Sequence, residues 1–162
     1  MDDYYKYDNS LSDFCEGIAS IQHMFEKTFL CDMEDNKTYL YLVYCHILTL
    51  IEAYIGRSIR YYSFRQRKKR YEFQSFLSRT NMQKYLHKEL NISINLPDNW
   101  DEIVKTRNLI IHRNGIKDDS THVKIKREDI NELLCLARSI VCQINSKILN
   151  SLVTQSKENI KK

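Results

Sequence analysis

Apolar residues recur three and four positions apart along most of the chain, which is the spacing of one face of an α-helix. In residues 10–33 they are Leu11, Phe14, Ile18, Ile21, Phe25 and Phe29. In residues 37–60 the stripe is denser and comprises Tyr41, Tyr44, Cys45, Leu48, Ile51, Ile55 and Ile59. We therefore predict a first helix that starts near Ser10 and a second, more apolar helix at the centre of the fold.

The second half of the chain continues the helical pattern. Residues 66–89 are polar, with a thin stripe of Phe73, Phe76, Leu77 and Tyr85, and predict a helix that covers the others from outside. A helix is predicted over 99–113, capped by Asp98 or Asn99 and anchored by Trp100. Alternating residues 121–126 predict a short extended segment before a last helix over 127–153. We expect the tail from Thr154 to be frayed.

The chain has only three glycines and one proline in 162 residues, so it contains few of the residues that punctuate sheets and long loops. This composition favours long helices joined by short connections. We predict an all-α fold, an antiparallel bundle of four to five helices with a short extended segment before the last helix. Residues 1–162 are expected to form one domain with a core of about residues 10–153.

Arg107 places a permanent cation inside the apolar stripe of the predicted helix 99–113. Its neighbours at three and four residues are Ile103, Val104, Ile110 and Ile111. A guanidinium does not lose its charge by titration and is almost never fully buried without a partner. We therefore expect an acidic side chain or a phosphate group to meet Arg107.

Polar residues follow the arginine in the same helix. Asn108 and His112 are four residues apart, so a helix sets them on one face, next to Arg107. Asn114 and Gly115 come directly afterwards, and both tolerate the left-handed conformation that ends a helix. An amide, an imidazole and a guanidinium are thus expected around one patch near a helix C-terminus.

The segment from Arg107 to Gly115 resembles the signature of the HEPN superfamily, small all-α domains of which many are metal-independent RNases in prokaryotic toxin and defence systems. That signature is an arginine, a gap of four to six residues and a histidine, and the gap here is four. The asparagine after the arginine, the glycine-ended turn and the position on the third or fourth helix also match. In helix order the resemblance covers residues 10 to 155.

The resemblance implies attack of a ribose 2′-hydroxyl on its own 3′-phosphate, which leaves a 2′,3′-cyclic phosphate and a 5′-hydroxyl. His112 would be the general base or acid, Arg107 would hold the phosphate, and Asn108 would orient the histidine or the scissile phosphate. No metal or cofactor is expected. Since one site has one histidine, a homodimer that joins two motifs in a composite active site would supply both base and acid.

Glu52 lies beside the apolar stripe of the second helix, between Leu48 and Ile55. A carboxylate in that position needs a cation, and the simplest partner is Arg107. The resemblance agrees, because many HEPN domains keep a polar or acidic residue on this helix near the motif. The alternative is a partly exposed Glu52 that pairs with Arg57 or with nothing.

A basic run with interleaved aromatic residues follows the second apolar stripe. It contains no acidic residue up to Tyr71, and its cations are Arg57, Arg60, Arg65, Arg67, Lys68, Lys69 and Arg70. Cations attract phosphates and aromatic rings stack on unpaired bases, so we predict that this run, together with Arg113, binds RNA. The alternative is a solvated inter-helix face or loop.

Other features bear on location and partners. No run of about 18 apolar residues is present, and Met1-Asp2-Asp3 lacks the plan of a secretory signal, so we expect a cytoplasmic protein with no membrane segment. The five cysteines lack metal-binding spacing, and Cys135 and Cys142 are expected to be small buried hydrophobes. HEPN toxins modified by a nucleotidyltransferase antitoxin often carry a tyrosine where this chain has Asn114. Such an antitoxin is not expected, whereas another antitoxin or a defence-complex partner stays open.

Two alternative functions remain. The first is a catalytically silent HEPN-type module that binds nucleotide or RNA, or that dimerises. The second is a helical adaptor in which an ion pair of Arg107 with Glu52 sets the register of two helices and His112 caps a helix end. Exposure of Arg107 and His112 in a groove would favour the nuclease over both.

Overall fold

The computed structural model describes the backbone of residues 2–27, 33–67 and 78–160, and the side chains of residues 10–27, 36–61 and 78–150. Within these residues the chain forms five helices and no strand: α1 (Asp2–Lys27), α2 (Met33–Arg67), α3 (Arg79–Leu90), α4 (Trp100–Arg113) and α5 (Arg127–Ile160). The helices pack against one another. The predicted all-α helical bundle is confirmed.

Helix α2 is the centre of the bundle, because it contacts each of the other four helices. Its apolar residues at helical spacing are fully buried: Ile47, Leu48, Ile51, Ile55 and Ile59. Burial of one such side chain contributes about 1.5–3 kcal/mol. The central position predicted from the density of the stripe is therefore confirmed.

Helix α1 lays its predicted stripe on α2, with Phe14, Ile18 and Ile21 buried. Gly17 allows a close approach, since a Cβ atom there would lie 2.6 Å from Leu50 Cδ1. The predicted start near Ser10 is wrong, because α1 begins at Asp2. No glycine or proline interrupts the chain before Ser10, and acidic residues are favourable in a first helical turn.

The third helix is shorter than predicted. Residues 66 and 67 belong to α2, and α3 begins at Arg79 after Ser78, whose Oγ accepts a hydrogen bond from the Asn81 backbone N–H at 3.2 Å. The prediction missed this N-cap, which is the physical signal for the helix start. Phe73, Phe76 and Leu77 lie outside the described residues. The buried face of α3 is instead built by Met82, Leu86 and Leu90.

Helix α5 closes the bundle against α2 and buries Ile130, Ile140, Ile144 and Ile148. Its backbone is helical to Ile160, and the predicted fraying of the tail from Thr154 stays a prediction. The residues after Thr154 include Gln, Lys and Glu and no glycine or proline, and these types propagate a helix well.

The connection between α4 and α5, which we call loop 116–126, contains the predicted extended segment. A single antiparallel bridge joins Ile116 to His122, and the Val123 N–H donates to the Gly115 carbonyl at 2.8 Å. The extended geometry is confirmed, although one bridge is too little to form a strand. The loop therefore folds back on the C-terminal end of α4.

Two cysteines of α5 differ from the prediction. Cys135 and Cys142 are exposed, so their predicted burial is wrong. They do share a helix face, but Leu134, Ala137 and Val141 point to the core and leave the cysteines on the outer face.

The described residues include one segment that is long and apolar enough to cross a membrane, Asn36–Tyr61 within α2. More than half of its most apolar window, 56%, is buried inside the bundle. Such burial is what the core helix of a soluble protein shows, because other helices take the place of lipid. The predicted cytoplasmic location stays a prediction.

Candidate functional site

Helix α4 carries the Arg107 to Gly115 segment and ends where the sequence predicts. Asn114 is left-handed at φ 49°, and Gly115 follows at φ 75°. The Gly115 N–H donates to the Leu109 carbonyl at 2.9 Å and so satisfies one of the last carbonyls of the helix. The helix begins at Trp100, which is fully buried as expected.

The neighbours of Arg107 are less buried than their residue types suggest. Trp100 is the one buried residue of α4; Ile103, Val104 and Ile110 are half-buried, and Ile111 is 47% exposed. The expectation that the stripe around Arg107 is core is therefore wrong. Helix α4 packs chiefly on α2, so it lies at the margin of the bundle and turns part of its apolar stripe to solvent.

Arg107 meets the acidic partner that the sequence predicts. Its Nη2 lies 3.7 Å from Glu52 Oε2, an ion-pair distance that is longer than a hydrogen bond. Both side chains are partly buried, at 20% and 23% exposed. Arg57, the other cation considered for Glu52, pairs with Asp13 on α1 instead. The pairing of Arg107 with Glu52 is thus confirmed.

Asn108 connects Arg107 to the outer face of α4, because its Oδ1 accepts a hydrogen bond from Arg107 Nη1 at 3.2 Å. On the inner side of α4 the guanidinium lies near Cys45. Burial raises the pKa of the Cys45 thiol to about 11, and the positive charge of Arg107 opposes part of this rise. Arg107 Nε is buried and has no hydrogen-bond partner among the described residues. Arg107 is therefore held between Glu52 on α2 and Asn108, and its Nε N–H group has no acceptor among the described residues.

His112 lies on the exposed face of α4. With Asn108 it lines a shallow cavity of 410 Å³, the His112 groove, whose other lining residues are Asp101, Val104, Lys105, Leu109 and Arg113. The predicted juxtaposition of the amide and the imidazole is therefore confirmed. Lys105 was not predicted, although its spacing of three and seven residues from Asn108 and His112 puts it on the same helix face.

Arg107 does not line the His112 groove. His112 is five positions after Arg107, so the two side chains leave the helix axis about 140° apart at 3.6 residues per turn. The guanidinium points to α2 and the imidazole to solvent. In one copy of the chain, Asn108 is what connects the arginine to the groove.

The predicted RNA-binding cations lie in different surroundings. Arg57 forms an ion pair with Asp13. Arg113 forms an ion pair with Asp118, and this contact lowers the pKa of the Asp118 carboxyl. Arg60 is exposed. The side chains of Arg65 and Arg67, and residues Lys68, Lys69 and Arg70, lie outside the described residues. Most of the predicted basic surface thus stays a prediction.

Tyr41 is a residue that sequence reasoning missed. Its side chain packs on Gly115, where an added Cβ would lie 2.5 Å from the hydroxyl oxygen and 2.6 to 2.8 Å from ring carbons, and the hydroxyl donates to the Val123 carbonyl at 2.6 Å. It therefore ties α2 to the end of α4 and to loop 116–126. Its place in the apolar stripe of α2 hid this role, because the contact is made by residues far away in sequence.

In the part of the chain that the structure describes, no three His, Cys, Asp or Glu side chains come together as a metal site. The expected lack of metal and cofactor stays a prediction. Comparison of the chain with protein-family models, with curated proteins and with solved structures found no match.

Proposed function

We propose that this protein is a metal-independent endoribonuclease of the HEPN type. The observation that carries the proposal is the connected set of Glu52, Arg107, Asn108 and His112. Glu52 holds Arg107, Arg107 donates to Asn108, and Asn108 shares an open groove with His112. Each member has a residue type suited to RNA cleavage without a metal.

The chemistry assigns a role to each member. His112 is exposed, so its imidazole is free to exchange a proton with a ribose 2′-hydroxyl or with the leaving 5′-oxygen. Arg107 stabilises the negative charge that develops on the phosphorane, and its two fixed contacts pre-orient the guanidinium for that charge. Asn108 binds the scissile phosphate or orients His112. Glu52 acts through Arg107 and is a positioning residue.

A second copy of the chain completes the site in this proposal. Arg107 and His112 diverge on α4, so one copy does not direct both side chains at one phosphate. An isologous two-fold contact along α4 would bring two copies of the motif to a common cleft. The exposed Ile111, on the same helix, supplies apolar surface for such a contact. The homodimer thus provides the acid and the base together.

The biological setting follows from the resemblance of the motif. An RNase of this kind would act in the cytoplasm as a toxin or an antiviral defence effector, restrained by an antitoxin or a defence-complex partner. RNA is its substrate, and the basic residues after Arg57 are its first candidates for contact with the RNA backbone.

A catalytically silent RNA-binding or dimerisation module is the second candidate, and one observation favours it. The His112 groove is shallow, and Arg107 lies outside its lining. A module that only binds RNA or a second copy needs no general acid or base. It would keep the surface of α4 without the alignment of Arg107 and His112.

The test is cleavage of RNA by the purified protein in EDTA, with analysis of the product ends. We compare the wild type with His112→Ala, Arg107→Ala and Asn108→Ala. His87→Ala and Arg138→Ala are matched controls, because both side chains are exposed and lie on other helices. Circular dichroism checks that every variant is folded.

The proposal predicts that wild type and both controls leave 2′,3′-cyclic phosphate and 5′-hydroxyl ends, and that His112→Ala and Arg107→Ala lose at least about a hundredfold in rate. Equal cleavage by all variants would identify a contaminating nuclease and remove the assignment. Binding of RNA without cleavage, by a folded dimer, would favour the silent module.

A further inference from the structure

A second cavity lies beside the end of α4 and has a strongly positive lining. It occupies 730 Å³ between the start of α2, loop 116–126 and the start of α5, and we call it the Lys37 cavity. Its charged lining residues are Lys37, Lys124, Lys126, Arg127 and Glu128, with His122 at the side. Four cations thus face one carboxylate, and they come from three separate elements of the fold.

The elements around the cavity offer further groups to an anion. The first turn of α5 leaves backbone N–H groups with no acceptor inside the helix. The positive end of the helix dipole adds to the charge of Arg127, while Glu128 and Asp129 in the same turn offset part of it, and Asp129 Oδ2 accepts from the Lys126 N–H at 2.8 Å. Asn36 also lines the cavity, and its Oδ1 is buried with no hydrogen-bond partner among the described residues. An acceptor in this state suits a ligand that carries a hydroxyl or amino group besides its negative charge.

The excess of positive charge lies on one side of loop 116–126. On the other side is a cavity of 620 Å³, the Glu132 cavity, lined by Glu102, Asp129 and Glu132 as well as Lys117. Lys124 lines both cavities. A phosphate group is therefore attracted to the Lys37 cavity and repelled by the carboxylates of its neighbour.

The Lys37 cavity shares a wall with the C-terminal end of α4. Tyr41 lines the cavity, and its ring packs on Gly115, three residues after His112. This contact places the cavity next to the chain segment that directly follows His112. Lys37 approaches the same tyrosine, with its Nζ 5.5 Å from the ring centroid.

From this arrangement we infer that the Lys37 cavity binds a phosphate group of the RNA strand that the α4 motif cuts, as a subsite one or a few nucleotides from the scissile bond. The inference rests on the proposed function for the identity of the strand. The phosphate of a free mononucleotide has the same chemistry, and the experiment distinguishes the two sources.

The test is binding, measured by fluorescence anisotropy with a 2′-O-methyl RNA of about twelve nucleotides, which cannot be cleaved because the attacking hydroxyl is blocked. The cavity variant is Lys37→Gln, Lys126→Gln and Arg127→Gln combined. The control variant is Lys84→Gln, Arg138→Gln and Lys147→Gln combined, which removes the same charges from exposed sites on α3 and α5. Lys124 is left unchanged because it lines both cavities.

The inference predicts that the cavity variant binds the RNA about tenfold more weakly than the control variant. The slope of log binding constant against log salt concentration should be smaller in magnitude by about two. AMP is titrated separately by calorimetry. If the cavity variant loses AMP binding and keeps RNA binding, the phosphate comes from a free nucleotide and the subsite on the cleaved strand is overturned. Equal affinities of both variants for both probes overturn any phosphate site here.

The design separates this inference from the proposed function. Loss of RNA affinity in the cavity variant, in a protein that never cuts RNA in EDTA, would support the phosphate subsite and contradict the nuclease. Cleavage by wild type together with equal affinities of the two variants would support the nuclease and contradict the phosphate subsite. Because Arg127 and Lys37 are half-buried, Lys126→Gln alone serves as the variant if the combination unfolds.

Discussion

Helices α2 and α4 differ in how they use apolar residues. Helix α2 buries nearly its whole stripe and contacts every other helix. Helix α4 has a similar apolar pattern, yet it buries only Trp100 and leaves Ile111 almost half exposed. The same sequence pattern therefore builds a core in one place and a surface in the other.

The difference shows where the chain holds its chemistry. A charged group within the fully buried stripe of α2 would lose its hydration, whereas Arg107 on α4 is paired with Glu52, beside that stripe, and keeps partial access to water. The helix that is poorly buried is thus the one that can carry an arginine, an amide and a histidine. Most of the core and most of the candidate site thus lie on two different helices that contact each other.

The largest effect is expected at the one buried residue of α4. Trp100→Ala should lower the free energy of unfolding by about 3–5 kcal/mol, because it removes the anchor of the helix and leaves a large cavity. Trp100→Phe, which retains most of the ring, should cost clearly less. Chemical denaturation measures both, and a small effect of Trp100→Ala would mean that α4 is held by other contacts.

A matched pair of truncations compares the two helices directly. Ile51→Ala in α2 should lower the free energy of unfolding by about 3 kcal/mol. Ile110→Ala, the same change at a half-buried site of α4, should cost roughly half as much, since less apolar surface is removed from contact. Equal costs from denaturant unfolding would contradict the division of the two helices into core and surface.

The ion pair between the helices is expected to contribute less. A double-mutant cycle of Arg107→Gln and Glu52→Gln should give a coupling energy of about 1 kcal/mol, since the pair is partly exposed and lacks a direct hydrogen bond. The coupling should fall in high salt. A coupling of several kcal/mol would favour the helical adaptor, in which this pair fixes the register.

The smallest effect on the fold is expected at Ile111. Ile111→Asp should change the free energy of unfolding of one copy by about 0.5 kcal/mol or less, because the side chain is largely exposed. In sedimentation velocity it should nevertheless abolish a dimer formed along α4. Leu149→Asp on α5, at 40% exposed, is the matched control and should leave the dimer intact.

Much of the architecture was predictable from local sequence signals. The five helices, the central place of α2 and the end of α4 at Asn114-Gly115 all follow from local signals that each residue carries in its own neighbourhood. The errors fall at helix starts, as at Ser10 and Ser78. There a capping residue or the lack of a breaker decides, and the apolar pattern gives no information.

The candidate site was predicted in part. The pairing of Glu52 with Arg107 and the sharing of one face by Asn108 and His112 follow from residue spacing. The exposure of the stripe around Arg107 does not, because it depends on which helices leave α4 uncovered. Neither Tyr41 nor the Lys37 cavity was predictable, since each brings together residues that are far apart along the chain.

The contact of Tyr41 with Gly115 has a consequence for recognising related sequences. The glycine is required twice, once for its left-handed backbone and once because the tyrosine ring occupies the space of a side chain. A search that requires only arginine, histidine and the Asn-Gly turn would therefore collect many unrelated helices. Requiring also an aromatic residue about three turns before the acidic residue of the second helix would make a more selective fingerprint.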